Sequence, residues 1–219
     1  MSDTTIDTEA PAPETASEAS NEAANASTKN KDLERAKRIG AWHATAIFTS
    51  LTLWGSANAW AQSSGLIIAY ASVLAMAIAA ATVIASIVHE WGHFSGAKLS
   101  GAIAPVEPKP IRFYFMFNFD MEKNTDKQFL AMSLGGISAN WLLVILLLVL
   151  VPLNSIGAAM LVAVAVAKAI NVSVFEIPIF KRVYDGGVPN EELQRQLKEQ
   201  GLRQLPGYVM GALTFLAFT

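Results

Sequence analysis

Cysteine is absent from this 219-residue chain. That excludes disulfides, thiol nucleophiles and cysteine-bound metal together. Charge is also scarce: Asp, Glu, Lys and Arg supply 16% of the residues, where a soluble domain carries about a quarter. The shortage is concentrated in long charge-free runs, and mean hydropathy is positive, so the chain reads as an integral membrane protein. Net charge is -2 and no basic patch stands out, which argues against a nucleic-acid partner. Histidine occurs three times only.

The first 28 residues hold six acidic side chains, no basic ones and almost nothing bulky and apolar. Such a segment buries too little surface to offset its ordering entropy, and is expected to be disordered. It also lacks the basic start and apolar run of a signal peptide. A basic cluster follows at Lys29, Lys31, Arg35, Lys37 and Arg38, completing a tail over 1–38. Four apolar segments come next, near 41–61, 65–88, 130–151 and 156–178. Each has the roughly 20 residues a helix needs to cross about 30 Å of hydrocarbon. The links 62–64 and 152–155 carry no Lys or Arg, whereas the tail, the 95–128 connection and the chain after 180 hold every basic residue except Lys168. The positive-inside rule makes those three regions cytoplasmic, with both terminal regions on that side of the cell membrane.

The expected fold is therefore all-α and polytopic, with about four transmembrane helices over a core of 39–188. Between the second and third, "IRFYFMFNFD" alternates Phe113, Phe115, Phe117 and Phe119 with other residues, the period of a strand with one aromatic face. Over 189–219, "PNEELQRQLKEQG" reads as a short helix with Asn190 as N-cap and Gly201 as its stop. The final "GYVMGALTFLAFT" is apolar but too short to span.

Two of the three histidines stand in "VHEWGH" as His89 and His93, where the second apolar run ends. Four residues apart on a helix, they share one face and can reach one metal ion. Glu90 is placed to take a proton from a water activated there. Ionisable groups flush against an apolar run are costly and usually functional. A hydrolytic zinc site needs a third protein ligand and an open position. His43 lies in the first segment, which leaves two carboxylates. Asp185, in "VYDGG", follows the inner end of the fourth segment and shares the cytoplasmic side with His89; Glu176, in "VFEIP", is its rival. The glycine pair behind Asp185 allows a sharp turn that aims a short carboxylate, while counting residues along each segment puts Glu176 nearer the depth of His89.

With "HEWGH", "GGISANW" and "DGG" in that order, residues 65–188 resemble the site-2 protease family of intramembrane zinc metalloproteases. The resemblance implies one zinc ion held by His89, His93 and Asp185, with Glu90 as general base. It implies that Asn140 stabilises the substrate backbone or the oxyanion, a role suited to an amide donor in a low-dielectric site; beside Gly135, Gly136 and Ala139, Asn140 also reads as interhelical glue. It places a membrane-dipping β-hairpin at the phenylalanine ladder, able to pair with an unwound substrate by strand addition. Its substrates are single-span membrane proteins in the lipid bilayer. The lead-in "NVSVFEIPIFKRVYDGG" departs from the family pattern: Lys181 and Arg182 intrude, and Asn171 lies far from Asp185. No room exists for an inserted peptide-binding domain, so the chain corresponds to a minimal member.

Lys168, near mid-span, suits either a polar contact near a substrate path or a buried structural pair with Asn171. The competing function is a catalytically inactive membrane scaffold that keeps the metal motif. An aspartyl protease is set aside, since Asp185 has no facing aspartate in the segments.

Overall fold

The computed structural model describes residues 13–108, 116–199 and 204–219. Among the described residues six α-helices follow in order: α1 (Pro13–Ser64), α2 (Ile67–Leu99), α3 (Asp126–Leu150), α4 (Ile156–Tyr184), α5 (Pro189–Lys198) and α6 (Leu205–Phe218). Three of them, α2, α3 and α4, are long and apolar enough to cross a membrane, as expected of a multi-pass membrane protein. The expected first span falls inside α1, which is not one of those three. Its polar content explains this: His43, Thr45, Thr49, Ser50, Thr52, Ser56 and Asn58 interrupt the run. Several hydroxyls bond back to the helix, Thr45 to the Ala41 carbonyl at 2.9 Å and Thr52 to the Phe48 carbonyl at 2.8 Å. α1 also begins at Pro13, within the segment expected to be disordered, while residues 1–12 lie outside the described residues.

α2 is the centre of the bundle, touching α1, α3 and α4. Ala77, Ala80, Ala81, Ile84 and Ala85 recur every three or four residues, so they form one helix face. That face packs on Leu143 of α3 and Leu161 of α4. Small side chains suit a bilayer, where helices gain from close van der Waals approach rather than from leaving water. The opposite pattern holds outside, where Leu142, Ile145, Leu148, Val149 and Leu150 of α3 are exposed. An outward apolar belt belongs against lipid.

α2 and α3 approach most closely at glycines. A Cβ on Gly92 would lie 2.5 Å from the Gly135 carbonyl oxygen and from Ala139 Cβ, and one on Gly96 would strike the Ala131 carbonyl. Here the glycines of "GGISAN" perform the close approach that their composition suggests. α3 opens with a capping box: the Thr125 hydroxyl accepts from Gln128 N–H, and the Gln128 side chain accepts from Thr125 N–H at 2.8 Å. Such a cap stabilises a helix start by about 1 kcal/mol.

The connection between α2 and α3 returns antiparallel, with one bridge between Val106 and Phe117. Glu107 N–H donates to the Met116 carbonyl at 2.8 Å and Asn118 N–H to the Pro105 carbonyl at 3.0 Å. No strand forms among the described residues, so the expected β-hairpin is not seen; its tip, with Phe113 and Phe115, lies outside them. The phenylalanines that are described seat the connection on the bundle. Phe117 packs on Phe94 of α2 with ring centroids 5.5 Å apart, and Phe119 packs on Phe129 of α3 at 6.1 Å.

After α4 the chain turns at Gly186, whose φ of 100° suits glycine, into α5. Val188 caps α5, with Pro189 at its first position and Asn190 already inside the helix. The expected Asn190 cap is thereby displaced, because the fixed φ of proline is suited to the first helical residue. The expected stop, Gly201, lies outside the described residues. Arg182 of α4 holds α5 by donating to Glu192 and, at 2.9 Å, to Gln196. α6 is apolar but shorter than the three long helices; it lies along α4, with Gly207 against Asn171 and Ala167, and Gly211 against Ala163 and Ala167.

Candidate metal centre

His89 and His93 project from one face of α2 toward α4, as their spacing requires. Their Nε2 atoms are 3.0 Å apart. Glu176 Oε1 lies 3.1 Å from each of them. These three ligand atoms form a nearly equilateral triangle, and the group is the only one of three or more His, Asp or Glu side chains so arranged among the described residues. Tetrahedral zinc with bonds of about 2.0–2.1 Å separates its ligand atoms by roughly 3.3 Å, so the triangle is close to chelating dimensions. The second carboxylate oxygen, Glu176 Oε2, is buried without a hydrogen-bond partner. A buried carboxylate with a spare lone-pair oxygen beside two imidazoles suits a cation. Two imidazoles plus one carboxylate also leave a fourth tetrahedral position open.

Each imidazole is oriented from behind. The Met132 carbonyl of α3 is 2.9 Å from His93 Nδ1. A carbonyl only accepts, so His93 donates through Nδ1–H, and the neutral ring then presents the Nε2 lone pair to a metal. The Asn140 carboxamide sits 3.0 Å from His89 Nδ1. For His89 to present Nε2 in the same way, Asn140 must offer its oxygen to Nδ1–H. With its nitrogen there instead, Asn140 Oδ1 is buried and unpartnered. In either arrangement the amide is engaged with a histidine, a use that the "GGISAN" pattern by itself did not disclose. Gly136 makes room for this assembly: a Cβ there would lie 2.6 Å from His93 Nδ1.

Asp185 is not part of the cluster. It is the exposed C-cap of α4, its N–H bonded to the Lys181 carbonyl at 2.9 Å. It stands nine residues beyond Glu176, roughly 14 Å along a helix axis. The glycines behind it form the α4–α5 turn rather than aiming a ligand. The structure thus brings Glu176, the rival carboxylate, to the histidines and leaves Asp185 at a distance from them. The third histidine is occupied elsewhere: His43 of α1 is buried and its Nδ1 accepts from the Trp91 indole N–H at 3.0 Å, tying α1 to α2.

Glu90 is buried on the neighbouring face of α2. With His89, Asn140, Ser86 and Lys168 it lines a cavity of about 170 Å³, room for several water molecules. A larger cavity of about 620 Å³ also reaches His89 and Glu176 and runs between α2, α4 and the start of α6, past Lys168, Asn171 and Tyr208. A candidate ligand cluster, a candidate base and two cavities that share His89, Lys168 and Val172 therefore lie together in the bundle.

Comparison with protein-family models, curated proteins and solved structures finds no match to this chain. The site's own chemistry has to carry the functional reading.

Proposed function

We propose that this chain is a membrane metallopeptidase that hydrolyses peptide bonds in or near transmembrane segments of single-span membrane proteins, with one zinc ion held by His89, His93 and Glu176. The observation that carries the reading is the convergence of His89 Nε2, His93 Nε2 and Glu176 Oε1 within 3.0–3.1 Å of one another, with Glu90 beside them on the wall of a cavity of about 170 Å³. Bound zinc supplies a Lewis acid that lowers the pKa of water.

The protein's own groups do the rest. Glu90 removes a proton from the attacking water, whose oxygen adds to the peptide carbonyl carbon. The carbonyl π pair moves onto oxygen and returns as the C–N bond breaks. The leaving nitrogen takes up the proton from Glu90, giving a carboxylic acid and an amine. Met132 and Asn140 hold the two imidazoles, and apolar α2, α3 and α4 keep bulk water away so that each charge acts in a low dielectric. This is the chemistry that the resemblance to site-2 proteases implies, with Glu176 in place of the aspartate.

We assign α1 as a fourth crossing, its hydroxyls satisfied by its own backbone, and both terminal regions to the cytoplasm of a cell-membrane protein. An inactive scaffold has no use for an unpaired Glu90 and Lys168 on cavities inside an apolar bundle. The test is cleavage of single-span peptides by the detergent-purified chain, with and without zinc. Zinc-dependent cleavage is expected; metal binding with no cleavage of any such peptide would favour the scaffold.

A further inference from the structure

Lys168 is unused by the reading above and expensive where it stands. It belongs to the middle of α4, forms no hydrogen bond or ion pair with any described residue, and is neither at a helix end nor turned out to solvent. A lysine at membrane depth normally pairs with an acid or faces water. This one borders both cavities of the site. In the smaller, it faces the same space as His89, Glu90 and Asn140.

Two further observations define what it does there. Asn140, the amide that the sequence pattern offers for the developing oxyanion, is anchored to His89 Nδ1 at 3.0 Å, which fixes it behind the ligand. No other cationic side chain lines the smaller cavity, and the polar groups remaining there are Ser86 and Glu90. Charge points the same way. With a divalent ion in place, the carboxylates of Glu176 and Glu90 cancel its charge, and Lys168 leaves one positive charge over in an apolar enclosure. As water adds, its proton passes to Glu90 and the negative charge moves from that carboxylate to the carbonyl oxygen. The net charge of the enclosure is unchanged, and an ammonium facing this cavity is placed to meet the charge where it develops.

We propose that Lys168 is a catalytic residue, the electrophile whose ammonium donates a hydrogen bond to the peptide oxyanion as water adds to the carbonyl carbon. The inference rests on the metallopeptidase reading. When the C–N bond breaks, the oxyanion's pair re-forms the carbonyl and the hydrogen bond relaxes; Lys168 keeps its proton throughout. Since the interaction exists fully only in the transition state, it acts on kcat rather than on substrate affinity.

The test uses the zinc-loaded, detergent-purified full chain and two probes: a single-span peptide that the wild-type chain cleaves, and its phosphinic analogue, in which an anionic PO₂⁻–CH₂ group replaces the scissile CO–NH. Kd for both probes and kcat for the peptide are measured in wild type, Lys168→Met and Lys168→Arg. Lys168→Met is expected to lower kcat and phosphinate affinity by about 100-fold or more, the scale of losing one oxyanion donor. Affinity for the uncleaved peptide and zinc content should stay unchanged, and Lys168→Arg should recover much of the loss. Equal loss of affinity for both probes would make Lys168 a ground-state contact and overturn the proposal, as would unchanged phosphinate affinity in a folded Lys168→Met. A wild-type chain that binds zinc but neither cleaves such peptides nor binds the phosphinate overturns the metallopeptidase reading, and this proposal with it.

Discussion

At the scale of residues, the site divides its labour among groups that touch different atoms. His89, His93 and Glu176 face one point; Glu90 faces the cavity beside it. Glu90→Gln should therefore keep the fold and the metal while lowering turnover by about 10²–10⁴-fold, the range contributed by a general base. Metal content and cleavage rate measured on the same purified sample check this, and comparable turnover in the mutant would sink the mechanism. Asn140→Leu removes the group behind His89. Loss of such an outer partner weakens metal binding by about 10–100-fold, measurable by competition with a chelator; unchanged affinity would mean that His89 needs no help from Asn140. Much of this site was legible beforehand. The HExxH spacing placed both histidines and the neighbouring glutamate. The third member of the cluster was harder, because signals disagreed: depth along the helices favoured Glu176, whereas the glycine pair and the family resemblance favoured Asp185. The glycines turned out to have a different task, turning α4 into α5 at Gly186. A carbonyl such as Met132 could not be found in sequence at all, since every residue has one and only helix packing selects it.

At the scale of elements, α2 and α3 are held at a separation set by missing side chains. Gly92, Gly96 and Gly135 bring the backbones together, and Gly136 leaves space for the His93 ring. Gly136→Ala would press a methyl group on that ring. The expected outcome is a helical, membrane-inserted protein with at least tenfold weaker metal binding, on the scale of disturbing a ligand's orientation. Gly55→Ala, where an added Cβ meets nothing within 4 Å, is the control and should bind metal as wild type does. Circular dichroism and chelator competition distinguish the two; equal affinity in both variants would show that His93 accommodates the methyl group. Helix identity was readable from hydropathy, because α2, α3 and α4 each carry a long apolar run. The short elements were less so. Proline at the first position of α5 overrode the preference of Asn190 for the cap. The phenylalanine ladder has strand periodicity, yet Phe117 and Phe119 serve to pack its flank on α2 and α3.

At the scale of the whole molecule, the bundle is built inside out relative to a soluble protein: alanines and glycines meet at the centre, and leucine and isoleucine face outward. Basic residues gather in the N-terminal stretch, the α2–α3 connection and the chain after 180. If α1 crosses as proposed, reporters fused at Ser2 and at Glu199 should both read cytoplasmic and one inserted at Ser63 should read outside. A cytoplasmic reading at Ser63 would leave α1 on the membrane surface and reduce the crossings to three. The central claim, however, is that α2 and α4 together build one metal site. Its most direct measurement is the metal content of the purified chain in three forms: wild type, Glu176→Ala and Asp185→Ala. The account predicts about one zinc per chain in wild type and in Asp185→Ala, and little in Glu176→Ala, the expectation for a site losing one of three protein ligands. Zinc kept in Glu176→Ala and lost in Asp185→Ala would contradict it.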